Sequence, residues 1–203
     1  GLLSVPGRGP DKQDCLSARV QQQYPDARVV HRLDMATSGL MLMARGAQAL
    51  GVLNRAFADR EVHKRYQALV HGSMQHAQGA WQTIDLPIAV DWPNRPLRVI
   101  DAAGKASLTR WRWLPEEPQD RTQRPAAPSE QPVSRLELEP VTGRSHQLRV
   151  HLRAIGHPIV GDALYAPPEV ARGAPRLLLH ACALAFAHPK GGQRVQFASA
   201  TPF

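Results

Sequence analysis

Cysteine is scarce in this sequence, and the two that occur, Cys15 and Cys182, lie far apart. Because they form no CxxC pair, their spacing indicates neither a zinc site nor a disulfide framework. Long apolar runs are also missing, since the longest, residues 177–187, is interrupted by His180 and is much shorter than the roughly 20 residues that cross a bilayer. These absences favour a cytoplasmic protein without a membrane span.

Acidic residues are outnumbered, with 17 Asp and Glu against 25 Lys and Arg, so the formal net charge is +8. This excess predicts a polyanionic partner, with nucleic acid as the first candidate and solubility alone as the alternative. Several arginines lie in or beside the segments that look most like motifs, and the forked guanidinium suits phosphate. These arginines are Arg28, Arg32, Arg45, Arg144, Arg149 and Arg153.

Hydrophobic periodicity predicts a mixture of strands and helices. Apolar residues recur at helical spacing near residues 47–60, and a second helix is expected between the N-cap candidate Ser145 and the stop signal Gly156. Short apolar or alternating segments predict strands at 40–44, 64–70, 106–114, 133–139, 177–187 and 194–198. We therefore expect an α+β fold, with a mixed, mostly antiparallel sheet and two or three packed helices.

Proline and glycine mark the connections. Residues 81–100 contain three prolines and short apolar pieces, which is typical of edge strands joined by irregular loop. Residues 115–132 contain five prolines among polar residues and predict a flexible surface loop. Lys190, Gly191 and Gly192 predict a hairpin between the last two strands.

The expected second helix has two different faces. Its apolar stripe consists of Leu148, Leu152 and Ile155. A second face carries the cationic or titratable side chains of His146, Arg149 and Arg153 at helical spacing. The helix is therefore predicted to pack on the sheet with one face and to present positive charge on another.

Asp34, in the segment HRLDMATSGL, is a candidate nucleophile in the turn before the strand at 40–44. Taken alone, an aspartate before a glycine turn more often serves the turn itself. No second acidic residue accompanies it as a glycosidase would require, and no HExxH spacing supports a metal hydrolase. A non-catalytic RNA-binding module remains the alternative to an enzyme.

Four sequence blocks resemble those of the RluA-type pseudouridine synthases, in that family's order. They are HRLDMATSGL, KRYQALVHG, TGRSHQLRVHLRAIGHPIVGDALYA and RLLLHA, and they extend over most of the chain. The segments GLLSVPGR and DWPNRP are similar to the dual-specificity branch of the family. The resemblance implies an isomerase without cofactor or metal. Its partners would be structured RNA, namely a 23S rRNA hairpin and the tRNA anticodon loop, and the protein is expected to be a monomer.

The resemblance also implies roles for individual residues. Asp34 would be the nucleophile, with Arg149 paired to it and Tyr66 stacked on the target base. Leu178 or Leu179 would close the other face of the base pocket. Among the basic residues, His31, Arg32, Arg144, His146 and Arg153 would contact RNA. Arg32 is further hypothesised to fill the gap that the flipped uridine leaves in the stack.

Isomerisation of uridine breaks the bond from ribose C1′ to uracil N1 and joins C1′ to C5. The reaction is neither a redox reaction nor a hydrolysis, and a carboxylate is a competent nucleophile for it. Three routes are open at this point: attack of Asp34 on C1′, attack on C6, or removal of a sugar proton.

One catalytic domain over residues 1–203 is the expected organisation. The chain opens at Gly1 rather than Met, so the family's N-terminal strand is expected to be truncated apart from its tail. No separate N-terminal RNA-binding domain is expected.

Overall fold

The computed structural model describes residues 1–74, 79–115 and 132–203. The described chain divides into two compact units. The first consists of Gly1–Lys64 and Ala181–Ala200, and the second of Arg65–His180 and Thr201–Phe203. Apart from its two end residues, the predicted proline-rich loop at 115–132 lies outside the described residues.

The helices lie toward both ends of the chain, and the described part of its middle, from β4 to β9, consists of strands and loops. The helices are a 3₁₀-helix at Pro10–Lys12, α1 at Leu16–Gln23, α2 at Gly46–Ala58, α3 at Gln147–Ala154 and α4 at Pro168–Ala171. The strands are β1 Ala27–Val29, β2 Ser38–Gly39, β3 Met43–Arg45, β4 His63–His71, β5 Gln82–Asp85, β6 Ile88–Val90, β7 Arg98–Ile100, β8 Leu108–Leu114, β9 Val133–Pro140, β10 Leu179–Ala187 and β11 Arg194–Ala198.

The first unit packs α2 against two pairs of antiparallel strands, which belong to two different sheets. Strands β1 and β3 pair with Arg28 opposite Ala44, and β10 pairs with β11 with Phe186 opposite Val195. The apolar side of α2, which includes Leu53, joins residues of both sheets in one core cluster. Burial of this stripe explains why the helical periodicity at 47–60 is a reliable signal.

The second unit is built on an antiparallel sheet in the order β4-β9-β8-β5. Leu138 of β9 lies between Tyr66 of β4 and Trp111 of β8. Alternate residues of these strands form the main core cluster, together with Leu148 and Leu152 of α3. Because successive side chains point to opposite faces of a sheet, the other face of these strands is left for polar residues.

Helix α3 ends as predicted but begins one residue later than expected. The left-handed residue Gly156 (φ 85°) follows its last turn, and the N–H groups of Gly156 and His157 donate to the carbonyls of Arg153 and Leu152. This is a Schellman motif, which requires the glycine. The prediction of Ser145 as N-cap is wrong: the cap residue is His146, in a left-handed conformation.

The expected fold class, α+β with a mostly antiparallel sheet, is confirmed. Most of the predicted helices and strands outside residues 75–78 and 116–131 are present within a few residues of their expected ends. The single strand predicted at 40–44 is wrong: residues 40–42 connect two short strands, β2 and β3, which pair with different partners, β10 and β1. Helix α1 was not predicted, because its segment contains three glutamines and few apolar residues. In the described ranges no helix is long and apolar enough to cross a membrane.

Gly39 is a position where only glycine fits. It has φ of 109°, and a Cβ atom built there would lie 2.3 Å from the carbonyl oxygen of Ala181. The close approach lets β2 bond to β10, where Leu40 N–H donates to Ala181 at 2.9 Å. The glycine of the segment HRLDMATSGL therefore fixes the strand that follows Asp34.

Gly39→Ala should destabilise the protein by about 2 kcal/mol or more, because the added methyl group combines backbone strain with a clash. Urea denaturation measures the change. Gly51→Ala is the matched control: Gly51 lies inside α2 with no atom near its built Cβ, so alanine there should stabilise by about 0.5–1 kcal/mol. Equal stability of the Gly39 variant and the wild type would contradict the packing argument.

Candidate active site

Asp34 lies in a turn of the first unit that is held on both sides. Its carbonyl accepts the N–H of Thr37 at 2.9 Å, and the preceding Leu33 exchanges two hydrogen bonds with the hydroxyl of Ser4. The Asp34 side chain is half-buried. The turn therefore places one carboxylate, on a fixed backbone, immediately before β2.

His31 has a structural role in the same segment. Its Nε2 accepts the N–H of Leu42 at 2.9 Å, and its ring stacks on Phe57 with centroids 4.9 Å apart. Burial, and secondarily the charge of Lys64, lowers its pKa to about 4. His31 is therefore neutral at physiological pH, so its predicted RNA contact, which stays a prediction, would not be ionic. Arg32, next to it, is exposed.

Tyr66 and Leu178 both lie in the second unit, in different packing environments. Tyr66 in β4 is half-buried and packs against the main core cluster. Leu178 is 3% exposed and belongs to a separate cluster with Leu69 and Val160. Close packing thus accounts for Leu178, while part of the Tyr66 side chain remains accessible for stacking on a base.

Arg149 on α3 is buried and paired with Asp162. The guanidinium donates from Nε to Oδ2 at 2.8 Å and from Nη2 to Oδ1 at 2.6 Å. The two side chains are 5% and 0% exposed. Such a bidentate pair fixes the plane of the guanidinium, and the burial argues against a simple phosphate contact for Arg149.

The segment GDALY connects this ion pair to His146. Asp162 also accepts the N–H groups of Leu164 and Tyr165. The Tyr165 hydroxyl lies 2.6 Å from Nδ1 of His146, and the Arg149 guanidinium lies 5.0 Å from the Tyr165 ring centroid. The pair and the two rings thus form one network in the second unit, in which His146 is half-buried and the other members are buried.

Gly161 allows Asp162 to reach this position. A Cβ on Gly161 would lie 1.9 Å from the carbonyl oxygen of Arg176, and its φ is 78°. Only glycine permits this close approach of two backbone segments. The dipeptide Gly161-Asp162 therefore sets the position of the carboxylate that binds Arg149.

The other predicted RNA-contacting arginines of this unit are exposed. The Arg144 guanidinium donates to the carbonyl of Ala106 at 3.3 Å, which steadies it at the surface. Arg153 lines an open cavity of about 400 Å³, next to Gly156 and Pro158. An exposed guanidinium beside a cavity of this size is well suited to a phosphate group.

The structure thus brings His146 and Arg149 together through Tyr165, in the second unit. Asp162 and Tyr165 were missed as functional candidates by the sequence analysis, although both lie in the quoted block GDALYA. The sequence signal that could have identified Asp162 is a glycine-aspartate pair after a short apolar segment. The spacing in the sequence does not show that Arg149 is the partner of this aspartate. Within the described residues no cluster of His, Cys, Asp and Glu could hold a metal ion.

A family model described as RNA pseudouridylate synthase matches residues 1–154. The chain belongs to this family. The synthase is 47% identical over 191 residues to the dual-specificity RNA pseudouridine synthase RluA of Vibrio cholerae, covering 94% of this chain and 71% of that relative. It is 45% identical to the protein of the same name from Escherichia coli K12, covering 100% of this chain and 86% of that relative.

A solved structure agrees with this assignment. Human RNA pseudouridylate synthase domain containing 1 superposes with a TM-score of 0.75 at 31% identity, covering 93% of this chain and 75% of that one. The synthase is therefore an isomerase that acts on RNA. The expectation of an enzyme of the RluA-type family is confirmed.

Asp162→Asn should destabilise the synthase by about 3 kcal/mol, because it removes the carboxylate that binds the buried Arg149 guanidinium in a bidentate pair. The double variant Asp162→Asn/Arg149→Met should recover a large part of the loss, since it also removes the buried guanidinium that Asp162 binds. Urea denaturation of both variants measures the difference.

The matched control for this pair is Asp14→Asn, which breaks the exposed pair of Asp14 with Arg19. Exposed pairs contribute little to stability, so this variant should unfold almost like the wild type. If Asp162→Asn behaved like the surface control, the buried pair would not be the stabilising contact described above.

Stability should also decrease in acid because of His31. The unfolded state takes up a proton at this residue near pH 6.5, whereas the folded state does so only near its pKa of about 4. The contribution of His31 to the free energy of unfolding is therefore complete above pH 6.5. It is lost as the pH falls toward 4, and the loss is up to about 3 kcal/mol. Denaturation curves between pH 4 and 7 measure it.

His31→Gln is the comparison for this pH series, because glutamine supplies an acceptor for Leu42 N–H and does not titrate. Burial also lowers the pKa of His151. This residue therefore adds to the pH dependence of the free energy of unfolding, with the same sign, in both the wild type and His31→Gln. The difference between the two slopes isolates His31. Identical slopes would show that His31 is not held neutral in the folded state.

Proposed function

We propose that this synthase converts uridines to pseudouridines in both a 23S rRNA hairpin and tRNA anticodon stem-loops, and that it acts in the cytoplasm. The supporting observation is its 45–47% identity, over 94–100% of this chain, to relatives whose names include dual-specificity RNA pseudouridine synthase. The net charge of +8 fits a polyanionic substrate. Residues 1–203 are proposed to act together as one catalytic domain and as a monomer.

Asp34 is proposed as the nucleophile. The reaction breaks C1′–N1, rotates the freed uracil and forms C1′–C5, after which the C5 proton leaves and N1 is protonated. An ionised carboxylate is suited to start this sequence. The backbone around Asp34 is held because Thr37 N–H donates to the Asp34 carbonyl and the hydroxyl of Ser4 exchanges two hydrogen bonds with Leu33. The Asp34 side chain is half-buried. It therefore avoids the full hydration that would weaken a nucleophile and is still accessible to a substrate.

The remaining site residues are proposed to bind the substrate. Tyr66 would stack on the target base, where a stacked aromatic ring contributes roughly 1–3 kcal/mol. Arg149, whose guanidinium is held by Asp162, would help to position the reacting groups. Leu178, which is buried in its own cluster, would support the base pocket by packing. The phosphate backbone would be contacted by Arg32, Arg144 and Arg153, with hydrogen bonds from His31 and His146.

Asp34→Asn should abolish turnover while preserving RNA affinity, because the amide keeps the shape of the side chain but is not a nucleophile. The expected loss of rate exceeds about a thousandfold. Tritium release from [5-³H]uridine measures turnover, since the C5 hydrogen leaves as the new bond forms. The anticodon stem-loop and the rRNA hairpin are tested separately, without added metal or nucleotide cofactor.

Asp59→Asn serves as the control, because Asp59 is exposed at the end of α2, and it should retain wild-type turnover. Wild-type binding without conversion of either RNA would indicate a binding module rather than the proposed enzyme. Conversion of one RNA alone would remove the dual specificity. Full activity of Asp34→Asn would assign the nucleophile elsewhere.

A further inference from the structure

The loop between β6 and β7 exposes a tryptophan that the proposed chemistry does not use. Trp92 is 64% exposed, which is more than any other exposed large hydrophobic side chain in the described ranges. Single exposed apolar residues are common on protein surfaces. An exposed indole nevertheless leaves a large apolar ring in water, so its surroundings decide whether it has a binding role.

The loop around Trp92 is closed by internal hydrogen bonds. Asp91 accepts hydrogen bonds from both the backbone and side-chain nitrogens of Asn94, at 3.1–3.2 Å. The Asp91 N–H in turn donates to Leu97, and the Leu97 N–H donates to Asn94. These bonds close the loop on itself, so the indole is presented on a fixed backbone and little conformational entropy is lost on binding.

The loop is also fastened to the network that contains Arg149. Leu97 packs against Val150 of α3 and Tyr165 in one cluster. The N–H of Arg98 donates to the Tyr165 hydroxyl at 2.9 Å, and this is the hydroxyl that contacts His146. The exposed indole therefore has a defined position relative to α3 within the second unit.

Arg95 places a positive charge against the exposed ring of Trp92. Its guanidinium carbon lies 4.8 Å from the Trp92 ring centroid, and its Nε donates to the Trp92 carbonyl at 3.2 Å. The nearest carboxylate in the loop, Asp91, is engaged by Asn94. The guanidinium lies over one face of the ring, so a nucleobase would stack on the other face while its phosphate reaches the guanidinium.

We propose that Trp92 and Arg95 form a second RNA contact, at which the indole stacks on an unpaired base and the guanidinium binds the adjoining phosphate. The base is a loop nucleotide other than the target uridine, since Tyr66 is the residue proposed to stack on the target. The inference rests on the proposed stem-loop substrates, since single-stranded loops expose the base faces that a tryptophan recognises. Indole and guanidinium groups also occur at protein interfaces, but the RNA substrate and the positive charge favour a nucleotide.

The test compares Trp92→Ala, Trp92→Phe and the wild type for binding to an anticodon stem-loop and to a blunt RNA duplex of equal length. Trp92→Ala should weaken stem-loop binding about tenfold, whereas Trp92→Phe should retain most of the affinity. Duplex binding should be almost equal in all three proteins. In turnover assays the loss should appear as an increased KM rather than as a decreased kcat.

Val52→Ala is the matched control, because Val52 is a similarly exposed apolar residue on α2 in the first unit, and it should bind both RNAs like the wild type. Equal stem-loop affinity of Trp92→Ala and the wild type would overturn the proposal and favour a protein partner. Equal loss on stem-loop and duplex would overturn base stacking. A wild type that binds but does not convert either RNA would refute the proposed function alone, because the Trp92 comparison is made by binding.

Discussion

The ion pair between Arg149 and Asp162 organises the second unit around its helix α3. Two opposite charges removed from water are costly unless each satisfies the other, so the carboxylate and the guanidinium must keep their bidentate geometry. Asp162 adds hydrogen bonds to the backbone of residues 164 and 165, and Tyr165 passes the constraint to His146 and to Arg98. Helix α3, the turn at residues 162–165 and the β6-β7 hairpin are thus connected through one ion pair and its hydrogen bonds.

Local sequence signals predicted much of the secondary structure. The stripe of α2, the Gly156 end of α3 and the hairpin before β11 all depend on neighbours within a few residues, so their patterns are readable along the chain. Glycines at 39 and 161 are conspicuous in the sequence too. The structural requirement for these two glycines is not local, because each allows the backbone to approach a segment that is distant in sequence.

The partners of buried polar groups were beyond prediction for the same reason. Arg149 was expected on a cationic face, whereas the structure neutralises it with Asp162, thirteen residues along the chain. His31 looked like a basic residue beside Asp34, whereas a backbone N–H and the ring of Phe57 make it a neutral acceptor. Periodicity identifies a face of an element, but desolvation and the available counter-groups determine the ionisation of each side chain. The roles assigned to Asp34 and Tyr66 depend on the family resemblance and remain predictions.

The polar face of the β4-β9-β8-β5 sheet differs from the α3 side in its charge balance. Three arginines, Arg65, Arg110 and Arg112, surround the ring of Trp81 and form ion pairs with Glu137 and Glu139. This cross-strand lattice has a net charge of only +1, and its guanidinium groups are already occupied by carboxylates. A polyanion diffusing toward this unit is therefore drawn weakly to the sheet and more strongly to the side with Arg144 and Arg153. If RNA binds through Arg144 and Arg153 as proposed, this difference favours productive collisions over misoriented ones before any specific contact forms.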